Sequence, residues 1–283
     1  NGIRGGSATV HFPIWHQEIQ DILVLKNNKG TEDNRVRKLD YSIQLSKIFY
    51  ERFIQNEEVS LFSPHDCPNL YESFGTDSFD ELYTSYENND AIPRTTIGAQ
   101  ELILALLKER AETGRIYIMN IDHCNSHSSF KDKVEMSNLC QEITLPTVPI
   151  HHIDGDGEIA LCILSAINVG KVKSDHELEE LCELTVRALE EIIDYQEYPV
   201  RAAEKSTKAR RSLGVGFIGL AHYLARLGHK YDSQEAWDAV HGLSESFQYY
   251  LLKASNKIAE EKGACEGFSA TKYFDGELPI DHY

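Results

Sequence analysis

The chain has 283 residues, 41% of them hydrophobic, enough to bury a sizeable core in one large domain or two ordinary ones. A formal net charge of −17 excludes broad binding to nucleic-acid backbone and adsorption to anionic membranes, both of which need a basic surface. The six cysteines (Cys67, Cys124, Cys140, Cys162, Cys182 and Cys265) are too dispersed for a disulfide-stapled secreted domain, so a cytoplasmic location is expected.

The opening Asn1-Gly2-Ile3-Arg4-Gly5-Gly6 reads as the middle of a glycine-rich loop, and the chain is expected to be a piece of a longer protein. Ala8 to Trp15 is β-prone, with Pro13 restricting it to an end or edge strand. Tyr41, Leu45, Ile48, Phe49 and Phe53 recur at helical spacing and predict one helix with an apolar face. Leu61-Phe62-Ser63-Pro64 predicts a short strand cut off by proline, and Cys67 just beyond it reads as structural. A helix over residues 98–113 is closed by Gly114, and Arg115 to Ile121 follows as a strand covered on both faces. Helix followed by buried strand implies α/β layering. No apolar run reaches membrane-spanning length.

In the second half, Glu158 to Ala166 is nearly continuously apolar and predicts another strand, carrying Cys162. Ser174 with Glu177 forms a capping-box start for a helix whose stripe is Leu178, Leu181, Cys182, Thr185, Leu189, Ile192 and Ile193, which makes Cys182 core filler. Basic residues (Arg201, Lys205, Lys208, Arg210, Arg211) precede Gly214-Val215-Gly216-Phe217-Ile218-Gly219, a G-x-G-x-x-G run. A dinucleotide loop should follow a buried strand and open a helix. Because the preceding residues are basic, the glycines read instead as a tight strand-to-helix passage where a side chain would not fit. Ser233 caps a long helix reaching Lys262, with Gly263 as its stop.

The chemistry concentrates in Ser137-Asn138-Leu139-Cys140-Gln141-Glu142-Ile143. If that run is extended, a side-chain period of two sets Asn138, Cys140 and Glu142 on one side. Three chemistries compete for it. His123, Cys124, His127 and Cys140 offer zinc-type ligands, but no second closely spaced pair completes the set. A Cys-His hydrolase would use Cys140 as nucleophile, without the helix N-terminus that lowers a thiol pKa. In one-electron sulfur chemistry Cys140 would carry a radical and Cys162 would supply reducing equivalents.

Asn138-x-Cys140-x-Glu142, with Gly157 to Cys162 after it and Gly114 to Ile118 and Asp122 to Asn125 before it, resembles the large catalytic subunit family of class Ia ribonucleotide reductase. The resemblance runs from Asn1 to Asp281. It implies an α/β fold that is part of a ten-stranded α/β barrel with a catalytic finger loop inside, residues 1–283 forming a single incomplete barrel segment and residues 137–143 the finger loop. It further implies reduction of ribonucleoside diphosphates to 2′-deoxyribonucleoside diphosphates by thiyl-radical chemistry. By position, Cys140 matches the thiyl cysteine, Glu142 the carboxylate that takes the 3′-hydroxyl proton, and Asn138 the amide that binds the ribose hydroxyls. Cys162 matches one member of the redox pair, its partner lying upstream of this chain, and Arg4, Gly5 and Gly6 match the loop reporting the specificity effector to the substrate base. No metal or cofactor is expected on the chain itself. The radical would come from a di-iron small (beta) subunit, ATP and dNTP effectors would bind the full-length protein, and a thioredoxin- or glutaredoxin-type reductant and a large-subunit homodimer are implied. The alternative is a non-catalytic piece of a split reductase acting as scaffold or assembly partner.

Overall fold

In the computed structural model the described residues are 5–29, 31–152 and 155–282. They fall into two units, residues 1–146 with 276–283 and residues 147–275.

The first unit runs β1 (Thr9–Pro13), α1 (Ile19–Leu23), β2 (Asp40–Leu45), α2 (Lys47–Gln55), β3 (Glu58–Leu61), α3 (Leu70–Ser73), α4 (Phe79–Glu87), β4 (Thr95–Gly98), α5 (Ala99–Thr113), β5 (Ile116–Asn120) and α6 (Ile121–Ser126). Strands β1, β2 and β5 form a parallel sheet in that order, and β3 pairs antiparallel with β4. The edge strand expected around Pro13 and the helix closed by Gly114 are both present, Gly114 adopting the left-handed φ of +63° that its lack of Cβ allows. Residues 41–53 differ from expectation. Tyr41 and Leu45 belong to β2, and only Ile48, Phe49 and Phe53 lie on α2. The reason is the period-two pattern beneath the apolar spacing: Tyr41, Ile43 and Leu45 alternate with Ser42 and Gln44. Ile43 and Leu45 join Trp15, Phe49, Phe74, Phe79 and Tyr83 in the core, where burial of each large side chain contributes about 1.5–3 kcal/mol. Cys67 is in that core, and burial pushes its thiol up to about 11. It is therefore inert packing, as expected.

The second unit contains β6 (Ile163–Asn168), α7 (Asp175–Tyr195), α8 (Arg201–Arg210), β7 (Leu213–Ile218), α9 (Leu220–Leu227) and α10 (Gln234–Lys262). Strands β6 and β7 are parallel, and Ile167, Val169, Leu178, Cys182, Leu243 and Phe247 form a core beneath them. The Ser174 hydroxyl accepts from Glu177 N, as the capping pattern predicts, and Ser233 likewise accepts from Ala236 N. The expected 158–166 strand begins only at Ile163. Glu158 makes an isolated bridge to Val148, and Cys162 lies just before β6, half-buried, rather than on the strand. Two of the three glycines of the G-x-G-x-x-G run are inside β7 and the third caps α9, so the run is a strand leading into a helix rather than a phosphate loop. No helix among the described residues is long and apolar enough to cross a membrane.

Candidate active site

The sheet of the first unit has one face toward the apolar core and another that is polar. On the polar face stand Thr9 and His11 of β1 and Ser42 and Gln44 of β2, each pair two residues apart, with His11 opposite Ser42. Ser42 and Gln44 are 0% and 2% exposed, so their polar atoms must find partners. They find them in the segment that follows Val134. Gln44 Nε2 donates to the Glu135 carbonyl (2.7 Å), and Ser42 Oγ donates to Gln141 Oε1 (2.6 Å). Thr9 Oγ1 donates to the Leu139 carbonyl (2.7 Å), and His11 Nε2 lies 2.9 Å from the Ser137 carbonyl. Burial lowers the His11 pKa, with the Ser137 backbone contact opposing it, so the ring is held neutral near pH 7. At the root of the segment Asn125 clamps Val134, donating from Nδ2 to its carbonyl (3.0 Å) and accepting from its N–H at Oδ1 (2.7 Å).

The tethered segment is not a strand. Residues 139–141 turn, Gln141 N donates to the Asn138 carbonyl (3.2 Å), and Gln141 takes a left-handed φ of +64°. The expectation of one extended face carrying Asn138, Cys140 and Glu142 is therefore corrected. Gln141 is drawn toward the sheet by Ser42 and by its Nε2 donation to the Ile118 carbonyl (2.7 Å). Its neighbours Cys140 and Glu142 are both exposed. Screening of Glu142 from water, expected for a carboxylate that exchanges protons with a substrate, is not supplied by this turn. Asn138 is half-buried, and its Oδ1 accepts from Ile143 N (3.1 Å) and Ser137 Oγ (3.2 Å). Ser137 Oγ also donates to the Ile143 carbonyl. With Oδ1 used inside the turn, Nδ2 is the atom Asn138 has to offer a ligand.

The other expected site residues lie elsewhere. Arg4 falls outside the described residues, while Gly5 and Gly6 are exposed coil with open space where a Cβ would sit. Cys162 belongs to the second unit. Near it Glu158 accepts from Arg210 and pairs with Lys205 (3.2 Å), and Ile159 N donates to the Ala202 carbonyl (3.2 Å). Burial would raise the Glu158 pKa, but the two cations outweigh it and the carboxyl is held low. Of the other basic residues, Arg211 pairs with Glu190 and Asp194 and Lys208 with Glu204, so four of the five cations of the patch are held by carboxylates of the chain itself. Arg210→Ala should leave the half-buried carboxylate short of its main partner and cost about 1.5–3 kcal/mol, read as a lower thermal midpoint. A midpoint equal to wild type would show the pair to be inconsequential. His123 and His127 stack edge-on at 5.8 Å, but among the described residues no group of three or more His, Cys, Asp or Glu side chains is arranged to hold a metal ion.

Residues 1–283 match the family described as "Ribonucleotide reductase, barrel domain". The chain belongs to this family. Ribonucleoside-diphosphate reductase subunit alpha of Haemophilus influenzae is 54% identical over 288 residues, covering 100% of this chain and 38% of the relative. Ribonucleoside-diphosphate reductase subunit alpha of Buchnera aphidicola from Schizaphis graminum (52%) and ribonucleoside-diphosphate reductase 1 subunit alpha of Escherichia coli K12 (50%) match with the same coverage. The chain thus spans 38% of the length of these reductase subunits. Within this reductase barrel segment the α/β character expected from sequence is present, as two parallel sheets and one antiparallel pair. The sheets are open as described. Sequence reasoning missed the tethers Thr9, His11, Ser42, Gln44 and Gln141. The alternation Ser42/Gln44 within an apolar strand was the available signal, since a buried polar pair needs partners.

Proposed function

We propose that this chain is the finger-loop segment of a ribonucleoside-diphosphate reductase large subunit, acting in the full-length protein on ribonucleoside diphosphates. The observation that supports this best is the tethered turn: backbone and Gln141 are bound to the sheet, while the thiol of Cys140 and the carboxylate of Glu142 are left to meet a substrate. In this reading residues 1–283 are a single segment of a ten-stranded α/β barrel, and closure around the turn in the larger protein excludes water from the reacting atoms.

A small subunit with a di-iron centre would supply the radical. Cys140, as a thiyl, takes the 3′ hydrogen of the ribose, and the S–H bond forms as the C–H bond breaks. Glu142 accepts the 3′-hydroxyl proton, and Asn138 Nδ2 donates to a ribose hydroxyl and orients the sugar. The 2′ hydroxyl leaves as water. Cys162 and a second thiol outside this chain deliver two electrons and protons and end as a disulfide. Cys140 then returns its hydrogen to C3′ and Glu142 its proton to O3′, which regenerates the thiyl and the carboxylate. Arg4 to Gly6 would pass the effector signal to the substrate base, Arg4 by stacking on a planar ring. ATP and dNTP effectors, a large-subunit homodimer, a thioredoxin- or glutaredoxin-type reductant and a cytoplasmic location complete the proposal.

The test is deoxynucleotide formation by the full-length large subunit with its small subunit. Cys162→Ser should permit substrate consumption and radical initiation but no clean product under multiple turnover. Sustained wild-type turnover by that variant would refute its reductant role. Activity of residues 1–283 by themselves would refute the dependence on a second thiol.

A further inference from the structure

We propose that Gln141 is a positioning residue for the reaction, a strap that fixes the backbone carrying Cys140 and Glu142. This rests on the reading of Cys140 as the reacting thiol. Three observations carry it. First, the Gln141 side chain bridges two adjacent strands, accepting from Ser42 Oγ on β2 (2.6 Å) and donating to the Ile118 carbonyl on β5 (2.7 Å). A primary amide has one acceptor end and one donor end, and here each meets its complement. A carboxylate would set a negative oxygen against the Ile118 carbonyl, and an aliphatic side chain would leave Ser42 and Ile118 without this partner.

Second, Gln141 holds φ at +64°, a region in which residues other than glycine, asparagine and aspartate are uncommon. Something must hold the backbone there, and the two amide bonds are placed to do it. Third, the strap sits between the thiol and the carboxylate in sequence. The remaining tethers reach the segment through main-chain atoms of Glu135, Ser137 and Leu139, all before Cys140. Gln141 is thus the tether on the far side of the thiol, and the Ser42 hydroxyl, fully buried, is its fixed end.

Loss of the strap should let the turn relax by a fraction of an ångström to an ångström, enough to cost about 10- to 100-fold in a step that depends on near-contact between sulfur and hydrogen. The experiment uses the full-length large subunit assembled with its small subunit. It compares wild type, Gln141→Leu, Gln141→Glu, Ser42→Ala, Gln141→Leu/Ser42→Ala and Cys140→Ser for kcat, KM for a nucleoside diphosphate, thermal midpoint, and small-subunit radical lost per product formed. Expected are a kcat lower by about 10- to 100-fold in both Gln141 variants with KM within about threefold and a near-normal midpoint, and more radical lost per product. Ser42→Ala should cost about fivefold, and the double variant should be no worse than Gln141→Leu, because both changes cut the same connection.

Wild-type kcat in Gln141→Leu with an inactive Cys140→Ser would overturn the strap and spare the reading of Cys140. Activity in Cys140→Ser would overturn that reading and the strap with it. A parallel fall in kcat and midpoint with no change in radical loss would reduce Gln141 to a structural role and overturn the proposal. Should Gln141→Leu fail to fold, Ser42→Ala decides: unchanged kcat and radical economy in that variant count against the strap.

Discussion

Cys140→Ser in the assembled reductase should abolish deoxynucleotide formation, a fall of at least about 10³-fold, while nucleoside diphosphate binding stays within about twofold of wild type. The split follows from where the turn gets its shape. Its tethers run through Ser137, Asn138, the Leu139 carbonyl and Gln141, with Thr9, His11 and Ser42 on the sheet. The exposed sulfur of Cys140 is a bystander to that network. A hydroxyl of nearly the same size therefore preserves the turn, but its O–H bond is too strong to exchange a hydrogen atom with a ribose carbon. Substrate depletion and equilibrium binding, measured on the same preparation, check both halves. Near-normal product would remove Cys140 from the chemistry, and lost binding would mean that the thiol shapes the site rather than reacts in it.

What could be read from the sequence divides by range. The caps at Ser174 and Ser233, the stop at Gly114 and the edge strand at Pro13 are set by atoms within a few residues, and each is found where expected. The Asn138-Cys140-Glu142 triplet was legible as residue types. Its geometry was not, because the turn is imposed by partners 99 to 130 residues away: Ser42 on Gln141 and Thr9 on Leu139. Nothing local in Leu139-Cys140-Gln141 signals a positive φ, since glutamine has no particular tolerance for it. Period was the other source of error. Tyr41 and Leu45 are four apart and fit a helix face, yet Ser42 and Gln44 between them fit only a strand with a polar face, and that face holds the finger turn. Cys162 was misplaced for a related reason: the apolar run starts at Ile159, ahead of Ile163 and Leu213, the first pair of the β6–β7 register, and apolar character alone does not mark where pairing begins.

Gly219→Ala should lower the stability of the second unit by about 2–5 kcal/mol without altering any nucleotide affinity of that unit. Two costs add. Gly219 sits at φ +79°, where a side chain costs about 1–2 kcal/mol. An added Cβ would also lie 2.4 Å from Asn168 Oδ1 and 3.3 Å from Gly170 N, and relieving that contact costs about 1–3 kcal/mol more. The crowding is a consequence of the parallel register: Asn168 ends β6 opposite Ile218 at the end of β7, Val169 N donates to the Ile218 carbonyl (3.0 Å), and the two chains leave the sheet together. Thermal unfolding of residues 147–275 within the protein reads the loss. Asn168→Ala placed in the Gly219→Ala background separates the two costs. It should return the part due to the clash and leave the part due to φ, so the double variant is more stable than Gly219→Ala alone. A dinucleotide loop would differ in a second readout: Gly219→Ala would also lose affinity for a pyrophosphate ligand, and Asn168→Ala would not restore that affinity. The glycines of the G-x-G-x-x-G run thus differ in what they tolerate. Gly214, whose Cβ would meet Leu164 Cδ2 at 2.5 Å, can be accommodated by rotation of a half-exposed leucine, whereas Gly219 faces a positive φ and a neighbouring backbone that cannot move without parting β6 from β7.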